Sequence, residues 1–327
     1  MSKNLNKVLT ENVLNNIPQN IKPVDYITDI LDIGRESGYR RIRGEIPFSF
    51  EEVSKLSLEL GFSIDEVIGQ NKHKRIFFDF ENDSTLDPHD TFTIMLNGYY
   101  NHIMNMFRAK EVESIIALNK FMIIFSIGSD NLFRFFYYKW IHQTQDVPMN
   151  YYYADVVVPS DIKILYNKIK YYMQFIGNTT YIIDKYIYLN VFKEIHYYYK
   201  RKLITNEELQ ILRAELADLL TATEKLVQKG MNNFNSPSFF YLSSLNIEAN
   251  ASYNQYDNNT ITHFWVYPVN PIVITNKDVC MMQKQWLESL KKYSTLITKS
   301  NEVVQAEFFN IQHDYLDRMG TDEFDSL

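Results

Sequence analysis

Residues 33–44 have the sequence IGRESGYRRIRG, which combines a tight turn with a short, strongly basic segment. Gly34 interrupts the apolar pattern before it at a position suited to a turn, and residues 35–44 then follow as a helix. Four of the ten arginines of the chain fall within nine residues of this stretch: Arg35, Arg40, Arg41 and Arg43. The stretch therefore predicts a turn followed by a basic helix.

Further helices are predicted on both sides of this turn. Residues 8–17 carry apolar side chains on one helical face, and a second helix starts near Pro23, since proline is tolerated at the first helical position. Ser49 and Glu52 form a capping box that opens a helix closed by Gly61. A second capping box at residues 63–66 opens a last short helix. Residues 1–70 are thus predicted to form a domain of five short helices.

The combined pattern resembles the helix-turn-helix domain of the Cro and phage-repressor type, also called the xenobiotic-response-element type. The resemblance rests on residues 33–44 as turn and recognition helix, and on residues 50–67, FEEVSKLSLELGFSIDEV, as fourth and fifth helices. It covers about a fifth of the chain. It implies that the third helix enters the major groove of double-stranded DNA and that its first turns contact base edges.

Carried onto this sequence, the resemblance makes Arg35, Glu36, Ser37 and Arg40 the candidates for base contacts. Arg41, Arg43 and Lys22 suit phosphate contacts, which fix register and make affinity salt-dependent. Gly38 stands where an apolar residue normally anchors the recognition helix, and Tyr39 is the alternative anchor, which leaves the register open by one residue. The expected DNA-binding set is Lys22, Arg35, Glu36, Ser37, Tyr39, Arg40, Arg41 and Arg43.

The charge balance keeps a second interpretation open. Residues 1–75 carry 11 Lys and Arg against 11 Asp and Glu, and Asp29, Asp32, Glu36 and Glu45 lie close to the arginines in sequence. The arginines could therefore form an acid-paired surface. On that interpretation the helix-turn-helix serves protein–protein interaction, as in an adaptor or an antitoxin-like protein whose C-terminal body binds a protein partner.

The rest of the chain is predicted to be a linker and a helical body. Residues 71–89 form the linker, with a basic run at 72–75 and an acidic cluster at 79–87 that are both expected to be solvated. Residues 90–327 are aromatic-rich, because they and the linker hold 44 of the 49 Phe, Tyr and Trp residues. Helical patterns cover 91–108, 111–127, 131–142, 160–176, 181–199, 205–230, 277–298 and 300–319. Apolar and polar residues alternate before a turn at Asp257, which predicts a β-hairpin at about 239–268. The predicted fold class is mainly α, with a small β-hairpin or sheet inserted in the larger domain.

Composition and motifs exclude several functions. The net charge of −7 argues against a protein that coats nucleic acid. The single cysteine, Cys280, rules out a disulfide framework and a multi-thiolate metal site. The seven histidines are scattered and no catalytic motif is present, so no enzyme activity, metal or cofactor is expected. No apolar run approaches the length of a membrane span or signal peptide, which predicts a cytoplasmic protein.

The predicted function is a one-component transcriptional regulator. A DNA-binding head with so few helices contacts few base pairs, so a homodimer reading two half-sites is expected. The body would then sense a small-molecule or peptide effector and dimerise, with residues 277–319 as the expected dimer seam. The aromatic segment at 133–140 is interpreted either as a pocket lining or as core packing.

Overall fold

The computed structural model describes residues 5–18, 21–64, 67, 87–232, 234–265 and 271–326. The chain divides into two compact units, Met1–Phe77 and Phe78–Leu327, here called the head and the body. Most of the predicted linker, with its basic and acidic runs, lies outside the described residues. So does most of the predicted fifth helix of the head.

The described part of the head contains four helices. They are α1 Leu5–Asn16, α2 Pro23–Leu31, α3 Arg35–Ile42 and α4 Phe50–Leu60. Pro23 occupies the first position of α2, as predicted, and the capping box at the start of α4 is confirmed: the Glu52 N–H donates to Ser49 Oγ, and the Ser49 N–H donates to the Glu52 carboxylate. Gly61 ends α4 at φ 68°, a left-handed conformation in which glycine carries no steric penalty. A small apolar core joins the helices: Val13, Ile17, Ile27, Leu31, Phe48, Val53 and Leu56.

The body is an α/β domain, which corrects the predicted fold class. The structure is 59% helical and carries a seven-stranded mixed sheet that accounts for 14% of the residues. The helices of the body are α5 Pro88–Arg108, α6 Asp130–Thr144, α7 Ser160–Met173, α8 Leu189–Lys200, α9 Asn206–Lys229, α10 Lys277–Lys292 and α11 Glu302–Arg318. The strands are β1 Val112–Leu118, β2 Thr179–Ile183, β3 Ser238–Ser243, β4 Ala251–Tyr256, β5 Asn259–Trp265, β6 Pro271–Ile274 and β7 Ser294–Leu296.

The strand order in the sheet is β6-β5-β4-β1-β2-β3-β7. Strands β1, β2 and β3 are parallel to one another, and helices supply the crossovers between them, α6 and α7 before β2, and α8 and α9 before β3. The other pairings are antiparallel. The predicted hairpin exists as β4 and β5, joined at Asp257, but it forms one side of this larger sheet.

The fold-class prediction was wrong because the central strands do not alternate. The strands at 112–118 and 179–183, in the middle of the sheet, each contain only a short apolar run, 115–118 and 181–183, and such runs cannot be told from buried helices by periodicity. The predicted helix at 111–127 is therefore β1 followed by a short 3₁₀ turn, Ile123–Ser126. The predicted helix at 181–199 is the end of β2 followed by α8.

The two faces of the sheet have different coverings. On one face, Ile115, Ala117 and Ile182 pack with Cys280 and Leu287 of α10 in a compact apolar cluster. On the other face, Ser114, Ile116 and Tyr181 line a cavity together with residues of α5. One face of the sheet is thus closely packed against α10, and the other face lines the cavity.

The aromatic run of α6 is buried in the core, and none of its rings at 133–140 lines the cavity. These rings therefore pack the core.

The two helices of the predicted dimer seam are partly buried within the body. Helix α10 buries Leu287 against the sheet, and α11 buries Phe308 in the main core. Both helices also expose large apolar side chains, among them Met282 and Trp286 on α10 and Val303 on α11. The dimer seam stays a prediction.

Candidate functional site

Helix α3 packs closely on α2 through a glycine. Gly38 is buried, and a Cβ atom built on it would lie 2.7 Å from Thr28 Cγ2 and 3.3 Å from Val24 Cγ2. A larger side chain fits this contact only if the Thr28 side chain or α2 shifts. Gly38 therefore faces the core of the head, and Tyr39 is 44% exposed instead of acting as the anchor. This settles the register that the sequence left open.

The Arg41 side chain makes hydrogen bonds within the head. Its Nη2 and Nε donate to the two carboxylate oxygens of Glu52 at 2.5 and 3.1 Å, and its Nη1 donates to Ser37 Oγ at 2.5 Å. The side chains of Arg41 and Glu52 are only 13% and 16% exposed. Arg41 thus connects α3 to the first turn of α4, and it is not placed as a free phosphate ligand.

The Glu52 carboxylate accepts two sets of hydrogen bonds that stabilise its ionised form. Burial by itself raises the pKa of the Glu52 carboxyl, but the hydrogen bonds from Arg41 and the Ser49 N–H outweigh this effect, so the pKa lies below its ordinary value. The same carboxylate therefore caps α4 and pairs with α3. Ser37 is half-buried and its hydroxyl is bound to Arg41, which leaves it poorly placed for a base edge.

The outer surface of α3 carries the remaining candidates. Arg35, Glu36, Tyr39, Arg40 and Arg43 are exposed. Three of these arginines have a carboxylate within 4 Å: Arg35 with Asp25 at 2.5 Å, Arg40 with Glu45 at 3.5 Å and Arg43 with Glu45 at 3.7 Å. Lys22 is exposed at the residue that precedes α2.

These surface ion pairs are weak enough to exchange for a ligand. An exposed ion pair contributes about 0–1 kcal/mol, because water screens both charges. A bidentate arginine–guanine contact is worth about 1–3 kcal/mol. The acidic neighbours therefore lower the affinity of the α3 surface for an anion without blocking it.

The body contains a second candidate site, the cavity between α5 and the sheet. Its volume is about 400 Å³, within the range of roughly 300–1,000 Å³ typical of small-molecule sites. The apolar part of its lining comes from several elements and includes Met95, Met106, Met122, Ile116 and Ile261. Sequence reasoning missed this cavity.

A polar cluster forms one part of the cavity lining. Asn254 Nδ2 donates to Ser252 Oγ at 2.9 Å, and Ser252 Oγ lies 3.0 Å from His263 Nδ1. These residues lie on neighbouring strands because Ser252 of β4 pairs directly with His263 of β5. The ring of His102, on α5, contacts the ring of His263.

The signal for this cluster was present in the sequence. Ser252 and Asn254 alternate along the predicted hairpin, and the pairing about Asp257 brings His263 opposite Ser252. The contribution of His102 could not be found in this way, because it comes from a helix about 150 residues earlier in the chain. Within the described residues, no group of three or more His, Cys, Asp or Glu side chains is placed to hold a metal ion.

Comparison of the chain with protein-family models, with curated proteins and with solved structures found no match. No helix among the described residues is both long and apolar enough to cross a membrane.

Proposed function

We propose that the protein is a sequence-specific DNA-binding regulator in which α3 is the recognition helix and the body senses an effector and dimerises. The observation that carries the proposal is the arrangement of α3. Its inner side is held by Gly38 and Arg41, and its outer side presents Arg35, Glu36 and Arg40 to solvent. A rigidly seated helix with exposed arginines is what base readout in the major groove requires.

The roles of the candidate residues follow from their exposure. Arg35, Glu36 and Arg40 are proposed to contact base edges, with Tyr39 beside them, while Arg43 and Lys22 contact phosphates. Arg41 and Ser37 position α3 from within the head. A homodimer would place two such helices on half-sites one helical turn apart, which supplies the selectivity that one head lacks.

The test is selection of bound genomic fragments by the purified full-length protein at two salt concentrations. We expect enrichment of a few palindromic sites and a steep loss of binding at the higher salt. The variant R40A/R43A should lose the enrichment, whereas the control K225A/K292A, which removes two exposed charges from the body, should keep it. Equal enrichment by both variants would show that α3 does not read DNA.

One observation favours the alternative of a protein-interaction module. The three exposed arginines of α3 each lie near a carboxylate of the head itself, so the surface is partly neutralised. An adaptor or antitoxin-like protein would use this mixed-charge surface, or its body, to bind a protein. Co-purification of one partner at fixed stoichiometry, without fragment enrichment at either salt concentration, would support this alternative.

A further inference from the structure

The cavity between α5 and the sheet is partly open to solvent. Protein cores are close-packed, and voids larger than a water molecule are few. A space of about 400 Å³ is far larger than such a void and has the size of a small-molecule site. Most of its exposed lining is apolar, and Asn, Ser, Thr and His side chains supply the polar part.

The lining has no formal charge of its own. Among the described residues that line the cavity there is no Asp, Glu, Lys or Arg. Burial lowers the pKa of His102 to about 4, and burial together with the neighbouring His102 holds the pKa of His263 well below its ordinary value. Both imidazoles are therefore neutral near pH 7. A charged ligand would lose its hydration on entry and find no opposite charge.

The cavity nevertheless contains a hydrogen-bonding atom for which the described residues supply no partner. Within the described residues His102 makes ring contacts with Tyr256 and His263, but its buried Nδ1 has no hydrogen-bond partner. Buried polar atoms are normally paired, and an unpaired one costs about as much as a lost hydrogen bond. Beside it, Ser252 and Asn254 are 2% and 3% exposed, on strand β4.

We propose that this cavity binds one uncharged, largely apolar small molecule whose polar group is hydrogen-bonded by His102 and Asn254. The apolar portion of the ligand lies against Met95, Met106 and Ile116. The inference deepens the sensing half of the proposed function and rests on it for the role of the ligand as an effector. Binding itself requires no DNA, so it can be measured separately.

The same cluster does not favour a serine nucleophile. In a catalytic triad the serine hydroxyl donates to a histidine that a carboxylate orients. Here the described lining of the cavity offers no carboxylate, and the depressed pKa of His263 makes it a weak base near pH 7. The cluster is better suited to holding a ligand than to reacting with it.

The experiment compares two probes that share one ring system. N-phenyl-1-naphthylamine is uncharged and has one N–H donor, and 8-anilinonaphthalene-1-sulfonate adds a sulfonate to it. With the full-length protein at pH 7, we expect the uncharged probe to bind at one site per chain and the sulfonate to bind at least about tenfold more weakly. Equal affinity for both probes, or no saturable binding of the uncharged one, would overturn the proposal.

Three variants locate the binding site. H102F removes the unpartnered nitrogen and breaks no hydrogen bond within the described residues, so we expect an unchanged fold and about fivefold weaker binding of the uncharged probe. I116W fills the cavity and should abolish binding. H313F, on α11 and outside the cavity, is the control and should bind normally. Normal binding by H102F and I116W together would place the probe elsewhere.

The outcomes separate this inference from the proposed DNA binding. Loss of probe binding in I116W with fragment enrichment retained supports the cavity and leaves the head intact. Absence of fragment enrichment in the unsubstituted protein, with probe binding as expected, removes the regulator and keeps the ligand site.

Discussion

His196 Nε2 lies 2.7 Å from Asp325 Oδ1, while His196 Nδ1 accepts a hydrogen bond from the Gly320 N–H at 3.0 Å. One buried imidazole on α8 thus binds the C-terminal segment at two points, at Gly320 and at Asp325 in the 3₁₀ turn Asp322–Ser326. Because Nδ1 accepts, Nε2 carries the proton and donates to Asp325. Hydrogen bonds from Lys200 and then His196 lower the pKa of Asp325 below its ordinary value. The stabilisation from this contact is therefore complete above the ordinary pKa and is lost as the pH falls through the lowered one.

We therefore expect D325N to loosen the C-terminal turn. Hydrogen exchange of the amides of residues 320–326 should become faster in the variant at pH 7. The matched control is D322N, because Asp322 is 98% exposed and pairs with Lys200 but not with His196. Exchange that is as slow in D325N as in D322N would show that the His196 contact does not hold the turn.

The contact between Arg41 and Glu52 predicts that substitution of Arg41 destabilises the head more than substitution of its neighbour Arg40. R41A should lower the stability of the head by about 1.5–3 kcal/mol, because it leaves a half-buried carboxylate without its charged donor. R40A should change stability by less than about 1 kcal/mol, since its ion pair is exposed. Native-state hydrogen exchange of the α4 amides measures both. Comparable losses in the two variants would contradict the structural position given to Arg41.

The close approach of Gly38 to Thr28 predicts that a side chain at position 38 destabilises the head and that a smaller residue at position 28 relieves the effect. G38A should destabilise the head by about 1–3 kcal/mol, because the added Cβ overlaps Thr28 Cγ2. The double variant G38A/T28S removes that methyl group and keeps the Thr28 hydroxyl position, which donates to the Asp25 carbonyl. It should recover most of the loss in the same exchange measurement. Equal stability of G38A and the unsubstituted protein would disprove the proposed seating of α3.

The depressed pKa of His102 predicts an acid sensitivity of the body. His102 has a pKa of about 4 in the folded state against 6.5 ordinarily, so protonation favours the unfolded chain. The pH-dependent contribution of His102 is fully favourable above about pH 6.5. As the pH falls toward 4, protonation of His102 in the unfolded chain lowers the free energy of unfolding by up to about 3 kcal/mol. All three Trp residues (Trp140, Trp265 and Trp286) lie in the body, so urea unfolding followed by tryptophan fluorescence reports it.

The substitution H102F should make this pH dependence shallower, and the control H313F should leave it unchanged. His263 continues to contribute in both, because its pKa is lowered as well. A pH profile of H102F that overlays that of the unsubstituted protein would show that His102 stays solvated in the folded state.

The proposed division of α3 into base and phosphate contacts predicts different salt dependences. R43A should weaken binding to all sequences about equally and reduce the slope of log K against log salt by about 1. R40A should instead reduce the discrimination between bases at one base pair by about 1–3 kcal/mol of binding free energy. Titrations of one selected site and its single-base variants at several salt concentrations distinguish the two. Interchanged behaviour would mean that the helix is rotated in the groove.

Local sequence signals were sufficient wherever a few neighbouring residues fix the conformation. The capping box at Ser49 and the closing Gly61 mark α4 as predicted, and the helical pattern over 205–230 corresponds to α9. The hairpin at Asp257 was found because its strands alternate and its turn residues are distinctive. In each case the hydrogen bonds and dihedral angles involve residues that are close to one another in the sequence.

The sequence by itself therefore determined helices α1 to α4 of the head, the exposed position of Arg35, Arg40 and Arg43, and the hairpin of the body. Only the tertiary structure decided that β1 and β2 are strands, because a buried apolar run takes its conformation from the strands that pair with it. Tertiary contacts also assigned Arg41 to the inside of the head through Glu52, and brought His102 to His263 across about 160 residues. Such long-range contacts leave no periodic signal in the sequence, since the energy that fixes them comes from burial and pairing in the folded chain.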